Sequence, residues 1–141
     1  MSRYQETYQK AHYLVLLPGE SGADIEVSFR INQSNQQIDK LMELHGKQMA
    51  CFITPCNPKG VRIDDKENLR LMQELENTVQ QKQLPYYFGQ GGDSNGAWIE
   101  KSLLIVGIDK DVADELAHQY EQNAVVWLEL GSAPELRWYI E

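Results

Sequence analysis

Phe52-Ile53-Thr54-Pro55-Cys56-Asn57-Pro58 decides how this chain is organised. Met49 to Ile53 reads as a short core strand. Pro55 forces it to end near Thr54, because proline has no N–H to give a central ladder. Pro58 pushes Asn57 towards extended geometry, and Lys59-Gly60 adds a turn before a helical pattern opens near Asp64. A polar residue is thus held between two prolines on a loop that leaves a core strand and feeds a helix start. Open α/β sheets often place ligands at such loops.

Working outwards, the hydrophobic periods alternate between 3.6 and 2. Tyr4, Tyr8 and Ala11 recur at helical spacing and give a short N-terminal helix. Tyr13 to Leu17, stopped by Pro18-Gly19, pairs as a hairpin with the alternating Ile25, Val27, Phe29 and Ile31. Ser34-Asn35-Gln36-Gln37 is a capping-box pattern before Ile38, Leu41, Met42 and His45, with Gly46 to stop the helix. On this reading His45 is a helix-end residue rather than a metal ligand.

A long helix runs from about Asp64 to Gln83, opened by Asp64 with Glu67 three places on. At 100° per residue, Met72, Leu75 and Val79 define its inward stripe, and Asn68 falls on that line one turn earlier. Arg70 lies nearly opposite. It pairs with Glu67 or Glu74 on its own helix, or it faces a pocket if the Pro55 to Ile63 loop folds back over the helix start.

Tyr86 to Phe88 reads as a short strand, and Gly89 to Gly96 as a flexible loop that matches neither a Walker loop nor a dinucleotide fingerprint. Trp98, Glu100, Ser102, Leu104 and Val106 share one face of the strongest strand, so Glu100 enters the sheet beside a Trp. Such a carboxylate is either an acid of raised pKa or the partner of a nearby cation. Asp109 caps a fourth helix with Val112, Ala113, Leu116, Ala117 and Tyr120 inward, and Asn123 is read as its left-handed stop or as a ligand contact. Ala124 to Leu130 and Leu136 to Ile140 close the chain as a hairpin. Grouped hairpins interrupted by helices predict a single α+β domain over residues 1–141, with a mixed or mainly antiparallel sheet and helices packed on it.

Composition narrows the function classes. Of 141 residues, 1–70 carry nine Lys/Arg and nine Asp/Glu, whereas 71–141 carry four and twelve, so the formal charge of −8 lies in the second half. Phosphate-backbone binding needs clustered Lys and Arg, and the basic residues Lys59, Arg62, Lys66 and Arg70 are interleaved with Asp64, Asp65 and Glu67. No nucleic-acid partner is expected. The longest apolar runs fall far short of the ~18 residues of a membrane span, and no apolar signal segment opens the chain, which predicts a cytoplasmic protein without a membrane partner. Cys51 and Cys56, five positions apart, fit neither a zinc spacing nor a disulfide framework, so reduced thiols are expected and no metal.

Phe52 to Pro58, then Glu67-Asn68-Leu69-Arg70, then Trp98-Ile99-Glu100-Lys101-Ser102, then Gln122-Asn123-Ala124 resemble, in order and spacing, the bacterial family catalogued only as domain of unknown function 3293. The resemblance spans about Tyr8 to Trp138. This chain has Lys101 where the family pattern has Pro, and Tyr120-Glu121 where it has Phe-Gly. The resemblance implies a small stand-alone bacterial protein and brings no activity or cofactor with it.

The sequence names no reaction. In one reading Asn57, Asn68, Arg70, Glu100, Ser102, Gln122 and Asn123 converge on a pocket for a small polar or anionic ligand, with Glu100 as acid or base and Cys56 as a conceivable nucleophile if chemistry occurs. In the other the protein is a non-catalytic, acidic interaction or regulatory module for a protein partner.

Overall fold

The computed structural model describes residues 3–93, 95–96 and 98–140. The elements follow the expected order: α1 (Arg3–Gln9), β1 (His12–Pro18), β2 (Asp24–Phe29), α2 (Gln36–Leu44), β3 (Met49–Ile53), a 3-10 turn (Pro58–Gly60), α3 (Asp65–Gln81), β4 (Tyr86–Gly92), β5 (Ile99–Val106), α4 (Lys110–Gln119), β6 (Ala124–Glu129) and β7 (Glu135–Trp138). The strands form one 7-stranded sheet in the order β2-β1-β4-β5-β3-β6-β7. Every pairing is antiparallel, and the fold is α+β.

The sheet lies between two apolar layers. On one face Val15, Phe29, Phe52, Leu104 and Val126 pack with Ile38, Leu41 and Met42 of α2. On the other, Cys51, Ile53, Leu103, Ile105 and Trp127 pack under Leu71, Met72, Leu75 and Val79 of α3 and Ala113, Leu116 and Ala117 of α4. In the middle of the sheet, β5 buries Leu103 to Val106 completely, which is why that run is continuously apolar. Replacing Leu104 by Ala would cost about 2–5 kcal/mol by transfer and cavity terms.

Helix ends show how local chemistry sets the boundaries. Asp64 Oδ1 accepts the Glu67 N–H at 2.9 Å and caps α3 as expected. At α2 the cap is Asn35, one place beyond the expected Ser34, and its Oδ1 accepts the Ile38 N–H at 3.0 Å. His45 is the C-cap of α2, with a ring nitrogen 2.6 Å from the Tyr87 hydroxyl. At α4 the left-handed residue is Glu121, with φ 50°, and not Asn123. The Glu121 and Gln122 N–H groups bond back to His118 and Ala117 carbonyls in a Schellman arrangement. That turn leaves the Gln122 and Asn123 side chains free to point inwards.

Two element boundaries also differ from expectation. α1 ends at Gln9, so Ala11 is buried in the link to β1 rather than on the helix. Gly89, Gly91 and Gly92 belong to β4 and not to a loop. A Cβ on Gly89 would stand 2.4 Å from the Leu14 carbonyl oxygen and 2.8 Å from the Phe52 ring, and one on Gly92 would stand 2.0 Å from the Trp98 carbonyl oxygen. These glycines allow close approach of strand and ring, a use of Gly that a turn-based reading misses. The expected inward spacing of the Tyr4 side chain and the expected loop place of Ser94 lie outside what the structure describes.

Candidate functional site

The site arises where β3 stops short. β5 pairs with β4 from Ile99 to Ile105, but β3 reaches only Leu103 to Val106. Beside Ile99 to Ser102 the ladder is therefore replaced by the loop that begins at Thr54. Thr54 Oγ1 donates to the Lys101 carbonyl at 2.7 Å and accepts the Cys56 N–H at 3.1 Å. The two prolines thus end a ladder and bring a polar loop against the first residues of β5.

Asn57 is the centre of that loop. Its backbone is left-handed (φ 50°, ψ 62°) instead of extended, in the well that Asn tolerates better than most residues. In this conformation its N–H donates to Asn68 Oδ1 at 2.9 Å, and Asn68 Nδ2 donates back to Asn57 Oδ1 at 2.9 Å. Asn57 Oδ1 also accepts the Ile63 N–H at 3.1 Å, and Asn57 Nδ2 donates to Glu100 Oε2 at 2.8 Å. A single amide therefore joins the loop, the first turn of α3 and the entry of β5. Lys59 is left-handed as well, and its N–H donates to the carbonyl of left-handed Glu121 at 2.7 Å. Three strained, non-glycine residues within one loop pair are the kind of cost that a fold retains at functional positions.

Glu100 is 8% exposed, on the same face as Ser102, Leu104 and Val106. Burial raises its pKa, and hydrogen bonds from Asn57 and Trp98 partly oppose the rise. Among the described side chains no cation forms a salt bridge with it. Glu100, Trp98 and Tyr8 line two neighbouring spaces. An inner chamber of about 40 Å³ lies between them and Tyr13, Phe52, Ser102 and Gln122. An outer cleft of about 400 Å³ lies between them and Asn57, Asn68, Arg62 and Asp65. Tyr8 forms a stacked pair with Trp98, centroids 5.8 Å apart, and another with Trp138, centroids 5.3 Å apart.

Most of the expected residues converge here. Asn57, Asn68, Glu100, Ser102 and Gln122 border the two spaces. Gln122 is buried and fixed by donating to the Cys56 and Tyr120 carbonyls at 2.9 and 3.2 Å. Asn123 is buried next to it, with an Nδ2 that finds no hydrogen-bond partner among the described residues. Arg70 does not join them. Its guanidinium bonds Glu67 at 3.0 Å and Glu74 at 3.1 Å, and it borders a separate surface hollow with Glu67 and Gln73. Two carboxylates on its own helix hold it at the i−3 and i+4 positions, and the loop does not fold back far enough to compete. The cation of the cleft is instead Arg62. The aromatic wall of Tyr8, Tyr13 and Trp98 and the arginine at 62 were missing from the expected site. In sequence, Tyr8 reads through the helical spacing of the N-terminal helix, Tyr13 and Trp98 as strand residues, and Arg62 as one charge among interleaved acids.

Cys56 is a buried thiol. Its Sγ lies 3.7 Å from the Lys101 carbonyl oxygen, and burial raises its pKa, which favours the protonated form over a thiolate nucleophile. No three His, Cys, Asp or Glu residues among those described are grouped to hold a metal ion, and none of the described helices is long and apolar enough to cross a membrane.

No curated protein and no solved structure gives a significant match to the chain. A family model described as "Protein of unknown function (DUF3293)" matches residues 53–125, from the end of β3 into β6. That segment contains Asn57, Asn68, Glu100, Ser102, Gln122 and Asn123, and leaves out Tyr8 and Tyr13 on the opposite wall. More than half of the sequence is covered, and the chain belongs to the DUF3293 family.

Proposed function

We propose that the protein binds a small polar ligand in the cleft between the Thr54 to Ile63 loop, the start of α3 and the entry of β5, with Glu100 as its charged contact. One observation carries this reading. Glu100 is a buried carboxylate, hydrogen-bonded by neutral donors and shared between the walls of two cavities. An ionisable group without a counter-charge in such a place is costly to stability, and a stability role alone gives no reason to keep it. Asn57 and Asn68 hold it in place through paired hydrogen bonds, which is the supporting shell a binding contact requires. Ser102 and Gln122 border the deeper end.

Native mass spectrometry of the purified protein, joined to a thermal-shift screen of small polar compounds, tests the reading. Wild type should retain a small molecule or be stabilised by one class of compound, and Glu100→Gln should lose that response while remaining folded. A response that is equal in both proteins, or absent in wild type across the screen, would overturn it.

A further inference from the structure

Five polar side chains that line the inner chamber, Tyr13, Thr54, Trp98, Ser102 and Gln122, already have their hydrogens engaged. The Ser102 hydroxyl donates to the Glu100 carbonyl at 3.1 Å, and the Thr54 hydroxyl to the Lys101 carbonyl at 2.7 Å. Gln122 gives its amide hydrogens to the Cys56 and Tyr120 carbonyls. The Tyr13 hydroxyl donates to the Tyr8 carbonyl at 3.0 Å. Trp98 gives a side-chain hydrogen bond to Glu100. What these groups still offer is lone pairs: the Glu100 carboxylate, Gln122 Oε1, and the oxygens of Ser102 and Tyr13.

From this bookkeeping we infer that the inner chamber receives the ammonium group of a primary aliphatic amine, whose chain lies in the outer cleft past Tyr8 and Trp98. The inference rests on the binding reading above and names its ligand class. A carboxylate or phosphate entering the chamber would meet a buried negative charge, and the hydrogens of Tyr13, Thr54, Trp98, Ser102 and Gln122 are already given elsewhere. An alcohol would place one hydrogen where three can be used. An ammonium matches both the charge and the acceptors, and the aromatic rings of Tyr13 and Phe52, in edge contact at 5.6 Å, add a negative ring surface to the same wall. A chamber of about 40 Å³ has room for an ammonium on its terminal methylene.

The test uses the full chain and three probes matched in length: n-butylamine, n-butanol and butyrate, titrated by calorimetry near neutral pH at low salt. Butylamine should bind most tightly and butyrate least. Glu100→Gln should weaken butylamine roughly tenfold or more, the loss of a charge-assisted contact. Ala124→Leu, which fills the chamber from β6 and leaves Glu100 and the cleft in place, should abolish amine binding and decides the matter if Glu100→Gln does not fold. Binding of butyrate as tight as that of butylamine, or amine binding unchanged in the variants, overturns the inference. If instead another compound class binds in a Glu100-dependent way, the amine assignment fails and the binding site stands. If no compound binds and none is retained on purification, both fail.

Discussion

Asn57 and Asn68 bind each other reciprocally: the Asn57 N–H donates to Asn68 Oδ1 and Asn68 Nδ2 donates to Asn57 Oδ1, each at 2.9 Å. This pair fastens the loop after β3 to the first turn of α3, and through Asn57 Nδ2 it reaches Glu100. Loop geometry, helix placement and the charge of the site are therefore one mechanical unit.

Asn68→Leu removes both bonds and leaves the Asn57 N–H without its acceptor. An unsatisfied polar group at a half-buried position costs about 1–3 kcal/mol. We expect a fall of several degrees in melting temperature with the far-ultraviolet circular dichroism unchanged. An unaltered melting curve would show that the pair is incidental.

Glu121→Gly should stabilise the protein. Glu121 occupies the left-handed position after α4, where glycine has no Cβ penalty. What is lost is an exposed ion pair with Lys59, 3.3 Å long and worth little. The expected gain is up to about 1 kcal/mol in chemical denaturation. Gln83, left-handed at φ 58° after α3, provides an independent control by the same substitution. Destabilisation at 121 alone would mean that the Glu121 side chain has a task beyond the turn.

Two carboxylates give the stability profile opposite slopes. The Arg137 guanidinium, through bonds of 2.7 and 2.8 Å, and the Tyr139 hydroxyl at 2.6 Å, hold the Asp114 pKa down to about 2. A depressed carboxylate adds stability that is fully present above its ordinary value of ~3.9 and is lost as pH falls towards 2. Asp114 is partly exposed, and after solvent screening the contribution is about 1 kcal/mol. Glu100, raised by burial, behaves in the reverse sense: its contribution is greatest below the ordinary ~4.3 and is lost as pH rises through its folded value. Melting curves near pH 2, pH 4 and pH 8 separate the two, because the Asp114 contribution changes below pH 4 and that of Glu100 above it. Asp114→Asn should flatten the acid limb, whereas Glu100→Gln should raise the melting temperature near pH 8 and leave it little changed near pH 4. A Glu100→Gln variant less stable than wild type near pH 8 would contradict the burial argument.

The sequence by itself determined the element order, the α+β class, the end of β3 just before Thr54-Pro55 and the inward position of Asn68. These follow from short-range physics: the period of apolar residues, the missing N–H of proline and the capping geometry of Asp64. The Arg70 pairing was also within reach of sequence, since its partners sit three and four places away on the same helix. Only the tertiary structure decided that Glu100 is shared by two cavities, that Tyr8 stacks with Trp98 and Trp138, and that Arg62 rather than Arg70 borders the cleft. Each of these depends on which strand lies beside which. Glu100 pairs with Gly91, and the place β3 would have taken beside it is occupied by a loop that begins at Thr54. The order β4-β5-β3 was not written in any single segment, and the glycines of β4 looked like a loop until the Phe52 ring and the Leu14 carbonyl were seen to fill the space a Cβ would need. Local pattern fixes what a segment becomes; the site depends on long-range contacts, and these form only when the whole sheet is assembled.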